Sequence, residues 1–333
     1  MKALVTGGGG FLGLCITEQL LARGDTVRVF CRNRYQRLDK LCVETINGDV
    51  RNAAAVDAAC ARIDTVFHTA AVSGIWGPRK LFHEVNTVGT RNIVESCKKQ
   101  GVTNLVYTSS PSVIYDGSEH KGGNESYSYP DRYLCHYPYS KALAEKSVLD
   151  ANGIEGLATV SLRPHLIWGP RDNHLVPRLI RRARSGRLRR VGDGGNLVSM
   201  TYVENAAAAH LQAVDSLSTD SPVAGQAYFI NESEPVKLWQ WIDELLSLAG
   251  LPSIKKSISK EMAWRTGAVM EVLFWLFRIP SEPPMTRFLA SQLSGSHFYD
   301  ISKAQRDFDY QPIVSVEEGM QRLAPELKRL ARQ

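Results

Sequence analysis

Short apolar runs alternate with stretches of helical period through the first half of the chain. Runs at Lys2–Thr6, Thr26–Cys31, Glu44–Asn47, Thr65–Ala70 and Asn104–Ser109 read as strands, and Ala158–Leu162 as a further strand ending at Arg163-Pro164. Between them, apolar residues recur at helical spacing over Phe11–Arg23, Ala53–Arg62, Lys80–Gln100 and Pro138–Asn152. Strands alternating with helices predict βαβ units and an α/β fold with a parallel sheet. The run from Asp64 to Ala70 is mostly apolar, as a strand covered on both faces requires.

Beyond Pro164 the pattern changes. Prolines accumulate, loops lengthen and helical periods dominate: His174–Ser185, Val203–Ser216, Leu238–Ala249, Lys260–Phe277 and Val316–Leu330. This half reads as a smaller, mainly helical cap over the carboxyl edge of the sheet.

Composition changes this picture little. At 333 residues, 44% hydrophobic and 22% charged, the chain is long enough to bury a sizeable core. Six cysteines, all before Glu145 and without a C-x-x-C pair, predict reduced thiols and a cytoplasmic protein. No H-E-x-x-H or Cys/His cluster points to a metal. The N-terminus turns into glycines before an apolar signal region forms. The most apolar later stretch, Gly267–Phe277, is interrupted by Glu271 and falls short of the roughly 20 residues a membrane span needs. It predicts a buried or partner-facing helix, with a membrane-surface helix as the alternative. Net charge is +6 and local: without Arg178, Arg181, Arg182, Arg184, Arg187, Arg189 and Arg190 the balance is −1 (6 − 7). That segment reads as a solvated helix face, or as attraction for an acidic partner or anionic substrate. No aromatic interleaving accompanies it, so nucleic acid is not an expected partner.

Candidate chemistry begins at Thr6-Gly7-Gly8-Gly9-Gly10-Phe11-Leu12-Gly13, between a strand and a helix. The spacing Gly7-x-x-Gly10-x-x-Gly13 permits a tight turn and lets backbone N–H groups reach a pyrophosphate at the helix N-terminus. Gly7, Gly10, Phe11, Leu12 and Gly13 are therefore candidate cofactor residues, and the fold class sharpens to a Rossmann-type doubly wound sheet. Residues 1–165 would form the dinucleotide domain, with the chain returning to it at about 198–232, and 166–197 and 233–333 would form the substrate cap. At the end of the second strand an NAD site carries an acid; here Cys31 stands there and Arg32 follows, which favours NADP(H).

Tyr137-Pro138-Tyr139-Ser140-Lys141 puts a phenol and an amine on one helix face. Pro138 suits the first helical position, with Tyr137 at or near the cap. A neighbouring ammonium lowers a phenol's pKa, and a shift of about three units corresponds to roughly 4 kcal/mol. A second match, Tyr299 to Lys303, is assigned to the cap, far from a strand end. Ser110 is the candidate hydroxyl for the substrate oxygen, with Ser109 or Ser112 as substitutes. Asn86, polar within a helical pattern, either helps position Lys141 through a water or makes a local helix bond. Trp264, Leu273, Phe274 and Trp275 are candidates for an alkyl pocket or for ordinary core. Arg163, Arg171 or the arginine segment would meet a substrate carboxylate.

Together these residues resemble the extended short-chain dehydrogenases over essentially the whole chain. The matching segments are Thr6–Gly13, Gly48-Asp49-Val50, Asn86 to Asn92, Tyr107 to Ser110, Tyr137 to Lys141 and Leu162-Arg163-Pro164. The resemblance implies Asp49 and Val50 beside the adenine, Ala70 by the adenosine ribose, Pro164 near the nicotinamide, and Ser110, Tyr137 and Lys141 as the catalytic set. Thr108–Gly117, His165 to Arg178, Gly192 to His210 and Glu282 to Leu289 are similar to the 3β-hydroxysteroid and sterol-4-carboxylate branch, and within it to the bacterial 2-alkyl-3-oxoalkanoate reductases of long-chain olefin biosynthesis. That implies NADPH-linked reduction of a long-chain β-keto acid, after a thiolase-like condensing enzyme and before a β-lactone synthetase and a decarboxylase as pathway partners. A homo-oligomer stays open. So do a steroid or sterol dehydrogenase, a nucleotide-sugar epimerase and a cofactor-sensing protein without chemistry. The missing acid at Cys31 argues against the epimerase, and the intact Tyr137, Lys141 and serine set against the sensor.

Overall fold

The computed structural model describes all 333 residues, Met1 to Gln333. Its centre is a seven-stranded parallel sheet: β1 (Lys2–Thr6), β2 (Thr26–Cys31), β3 (Glu44–Asn47), β4 (Thr65–His68), β5 (Asn104–Thr108), β6 (Ala158–Pro164) and β7 (Gln226–Ile230). The spatial order is β7-β6-β5-β4-β1-β2-β3. The sequence order reverses between β4 and β1, which is where a doubly wound sheet opens a ligand crevice. β4 and β5 stop short of Ala70 and Ser109 because the chain leaves the sheet there to line that crevice. β7 lies in the expected return segment, where the sequence pattern alone does not mark a strand.

Period-two alternation divides the sheet's side chains between two cores. Ala3, Val5, Phe67 and Val106 face one core, closed by α1 (Phe11–Ala22) and by the alanine-rich Val203–Asp215. Leu4, Val66 and Leu105 face the other, closed by Ala53–Cys60, α2 (Gly89–Gln100) and α3 (His136–Leu149). A third core, around Trp168, Ile180, Trp239, Leu245 and Leu323, belongs to the cap. Its helices are α4 (Leu175–Arg184), α5 (Leu238–Leu248), α6 (Lys260–Leu276), α7 (Arg287–Ser294) and α8 (Val316–Arg332).

Three features depart from expectation. Tyr299, Ile301, Ala304, Phe308 and Tyr310, assigned to the cap, pack into the first sheet core. α7 is an additional helix; it is 8 residues long and is started by Thr286, whose side chain accepts from Leu289 N–H at 3.1 Å. The helix read at Lys80–Gln100 is interrupted by a π-helical turn, His83–Val88. No helix is long and apolar enough to cross a membrane, and all six cysteines are unpaired.

Candidate active site

A cavity of about 770 Å³ runs along the carboxyl ends of the strands into the cap. Gly7, Gly10, Phe11, Leu12, Gly13, Arg32, Asp49, Val50, Ala70, Ser110, Tyr137, Lys141 and Pro164 all line it. The thirteen candidates, spread over more than 150 positions of sequence, are thus brought to one wall system.

The glycine loop is a cradle that side chains would fill. Gly7 has φ +71°, and a Cβ there would sit 3.0 Å from the Ala70 backbone. A Cβ on Gly13 would come 2.4 Å from the Gly7 carbonyl oxygen. Gly7 N–H donates to Phe30 O and Gly10 N–H to Gly7 O, both at 2.8 Å, which fixes the turn. The first-turn N–H groups of α1 have no partner within the helix, so the loop fits the pyrophosphate of a dinucleotide. Tyr35, not singled out from sequence, closes over Gly9 and lines the cavity.

At the end of β2, Cys31 is buried and donates to Asn33 O at 3.2 Å; burial raises its thiol pKa. Arg32 is exposed on the cavity wall. Hydrogen bonds from Arg51, at 2.8 Å to Oδ2 and 3.0 Å to Oδ1, hold the Asp49 carboxyl below the usual range.

α3 begins at His136 after the cap Cys135, so Tyr137 is near the cap, in the first turn, and Pro138 is the third helical residue rather than the first. Pro138 is tolerated in that first turn because the first N–H groups of a helix lack partners anyway. Tyr137 is half-buried, and burial pushes its phenol up to about 12, opposed by a hydrogen bond with Ser110. The lowering expected from Lys141 is absent. The lysine is buried, its Nζ donates to Thr108 O at 2.6 Å and lies 4.1 Å over the Tyr107 ring. Burial brings the ammonium down to about 7, and the nearby Glu145 carboxylate works the other way. The tyrosine thus stays protonated at neutral pH, the state a proton donor requires.

Glu145 continues the face that carries Tyr137 and Lys141, with spacing four and four again. It is fully buried and stays ionised because Arg163 donates Nη2 at 2.6 Å and Nε at 3.0 Å; Ser161 and Tyr129 donate at 2.8 and 2.7 Å. Arg163 is therefore committed to Glu145 through Nε and Nη2 and does not line the cavity, and Arg171 is held in a fork by Glu18 at 2.6 and 2.7 Å. Neither is free for a substrate carboxylate. From the arginine segment, Arg178, Arg181 and Arg182 line the cavity beside Glu282, which Arg178 meets at 2.5 Å.

The Asn86 side chain makes no local helix bond. Its amide accepts from Val72 N–H at 2.8 Å and donates to Val72 O and Ser140 Oγ, both at 3.0 Å. It clamps the loop after β4 to the helix of Tyr137 and Lys141. Ser109, Ser110 and Ser112 all line the cavity, and Ser112 N–H donates to Ser110 Oγ at 3.2 Å. Tyr299 also lines the cavity, a correction to its expected remoteness. The strand His297–Tyr299 folds back so that Tyr299 stacks on Phe229 of β7 at 4.3 Å. Its Lys303 turns away to Gln226 Oε1 at 2.8 Å, so this pair shares no face. Trp264, Leu273 and Trp275 are exposed and line neither the cavity nor a core. His165, buried on the cavity wall and bonded to His297 at 2.7 Å, is a further site residue; a lone histidine in sequence carries no signal of such a pair.

Residues 4–259 match the 3-beta hydroxysteroid dehydrogenase/isomerase family. The chain belongs to that family. A 2-alkyl-3-oxoalkanoate reductase of Stenotrophomonas maltophilia is 47% identical over 97% of this chain and 98% of its own. One from Shewanella oneidensis is 45% identical over 98% and 86%. Among solved structures, UDP-glucuronic acid 4-epimerase from Bacillus cereus with UDP-glucuronic acid and NAD superposes with a TM-score of 0.77 at 21% identity, covering 99% of this chain and 100% of that one; the likeness is one of fold. This member of the 3-beta hydroxysteroid dehydrogenase/isomerase family is an oxidoreductase.

The electrostatics of Lys141 are testable without substrate. Its folded pKa lies below the unfolded value, so protonation opposes folding. That penalty is fully present below about 7 and fades as pH rises towards the unfolded lysine value near ~10.4. Lys141→Met is expected to raise the Tm of the cofactor-free protein at pH 6, with the difference shrinking towards pH 9.5. A constant difference across that range in thermal unfolding would contradict the assignment.

Proposed function

We propose that the protein reduces 2-alkyl-3-oxoalkanoates to 2-alkyl-3-hydroxyalkanoates with NADPH, as a step towards long-chain olefins. A β-lactone synthetase and a decarboxylase would act after it. The observation that carries the reading is a protonated Tyr137, with Ser110 and Lys141, on the wall of a cavity that also holds the glycine cradle. Near-full-length identity of 45–47% to two 2-alkyl-3-oxoalkanoate reductases supports the substrate class.

Gly7, Gly10, Phe11, Leu12 and Gly13 would hold the pyrophosphate, Asp49 and Val50 the adenine, Ala70 its ribose and Pro164 the nicotinamide side. Bound there, NADPH supplies the hydride. Arg32 follows the cysteine that replaces the usual acid, and its guanidinium suits a 2′-phosphate. Ser110 Oγ and Tyr137 Oη hold the ketone oxygen, and Tyr137 passes its proton there as negative charge develops. Lys141 Nζ, steadied by the Thr108 carbonyl, holds the nicotinamide ribose and makes good the charge left when the phenol ionises. With Arg163, Arg171 and Arg178 engaged, Arg181 and Arg182 are the cap guanidiniums on the cavity wall available to the substrate carboxylate.

Purified protein is expected to consume NADPH stoichiometrically with a 2-alkyl-3-oxo acid, and not with sugar nucleotides. Tyr137→Phe is expected to lower kcat by about 10²–10⁴ with little change in KM. Full turnover in that variant would end the acid assignment. Arg32→Ala should reduce the NADPH-over-NADH preference about tenfold or more, read as a ratio of kcat/KM values. Arg182→Ala should raise KM for the free acid more than for its methyl ester; equal effects on both would remove it from the carboxylate site.

A further inference from the structure

α6 is an apolar segment that gives only Ala263 to a hydrophobic core. Only Ala263 and Gly267 are buried, and they seat the helix so tightly that a Cβ on Gly267 would lie 2.5 Å from the Thr286 carbonyl carbon. The opposite face is open to solvent. Trp275 is 75% exposed, Phe277 68%, Val272 61% and Leu276 60%. From Val269 to Phe277 the single charge is Glu271, and it turns inward to Arg287 at 2.7 Å. Scattered exposed apolar residues need no explanation, but a contiguous patch marks a surface that something covers.

The charges around the patch say what covers it. Lys255, Lys256 and Lys260 are exposed at its N-terminal end, where Ser257 and Ile258 pair with Arg190 and Val191 of the arginine segment. Arg278 is exposed at its C-terminal end. The loop after it rests on α4, with Arg182 Nη2 donating to Pro284 O at 2.7 Å. Against these cations, Glu261 is the one exposed acid of the helix. An apolar helix face flanked at both ends by Lys and Arg fits an interfacial helix on an anionic bilayer. A second copy of this chain is a poor occupant, because a two-fold contact would set the same cations against one another.

We propose that α6 docks the protein on an anionic lipid surface, with its aromatic and aliphatic face in the headgroup region. The patch adjoins the rim of the cavity. Phe274 packs edge-on to Trp76 at 6.3 Å, and Ser73, Gly74 and Ile75 of that loop line the cavity, as does Glu282 on the far side. A substrate carrying long alkyl chains then passes between bilayer and cavity without crossing water.

The test is co-sedimentation of the full chain with phosphatidylglycerol/phosphatidylcholine vesicles and with pure phosphatidylcholine vesicles, alongside tryptophan emission. Binding to the anionic vesicles with a blue shift, weakened at 1 M salt where the Debye length falls to about 3 Å, is expected. Trp275→Glu with Phe277→Glu should lower partitioning about tenfold or more, while turnover of a water-soluble short-chain substrate is kept. Lys255→Glu with Lys256→Glu, far from the patch's packing contacts, should weaken binding to anionic vesicles as well. Absence of binding to anionic vesicles, or binding unchanged in both variants, overturns the proposal. So does self-association, or a stable complex with another protein, that the aromatic variant abolishes while vesicles bind neither form.

Discussion

The pairing of Glu145 with Arg163 governs how the rest of the site is held. A carboxylate with no exposed surface costs several kcal/mol unless it is paired and hydrogen-bonded. Here two guanidinium nitrogens, a serine and a tyrosine satisfy it, and the pair joins α3 to β6. Lys141 lies one turn earlier on the same face, where that carboxylate favours the charge that burial disfavours. One buried anion thus fixes the angle of the helix and the field around its amine. The phenol lies one turn earlier still.

The cap uses its arginines unequally. Arg171 and Arg178 are neutralised by Glu18 and Glu282. Burial and the neighbouring Arg178 hold Arg182 below the usual arginine value, as crowding of like charges demands. The excess of positive charge read from composition is therefore partly stored inside the cavity and partly displayed beside α6.

Much of this is legible in the sequence wherever the information is local. The glycine spacing, the cysteine in place of an acid, and the Tyr137–Lys141 spacing each encode a geometry within a few residues, and the structure brings them to one cavity. Expectations that failed depended on distant partners. Spacing places Lys141 near Tyr137, but only the fold reveals that the Thr108 carbonyl, 33 residues away in sequence, holds the amine. Tyr299 departs from its expected place because a strand near the C-terminus returns to the sheet side through His120–Gly123. The apolar residues of α6 look like core or pocket in sequence because hydrophobicity does not say whether a neighbour covers it. Glu145 is the one overlooked residue with a readable signal, a third polar group in step with the first two.

The π-helical turn at His83–Val88 makes Asn86 effective. It accommodates one residue more than an α-helix would over the same rise, and each added residue rotates the remainder of the helix by about 100°. Asn86 reaches both Val72 and Ser140 from that turn, while Gly89, just after it, lies so close to Val50 that a Cβ would meet its side chain at 2.6 Å. Loss of one residue here would restore a regular helix and swing the amide off its partners. The clamp is thus a matter of chain length as much as of side-chain identity. In that sense the site has a single-residue frame.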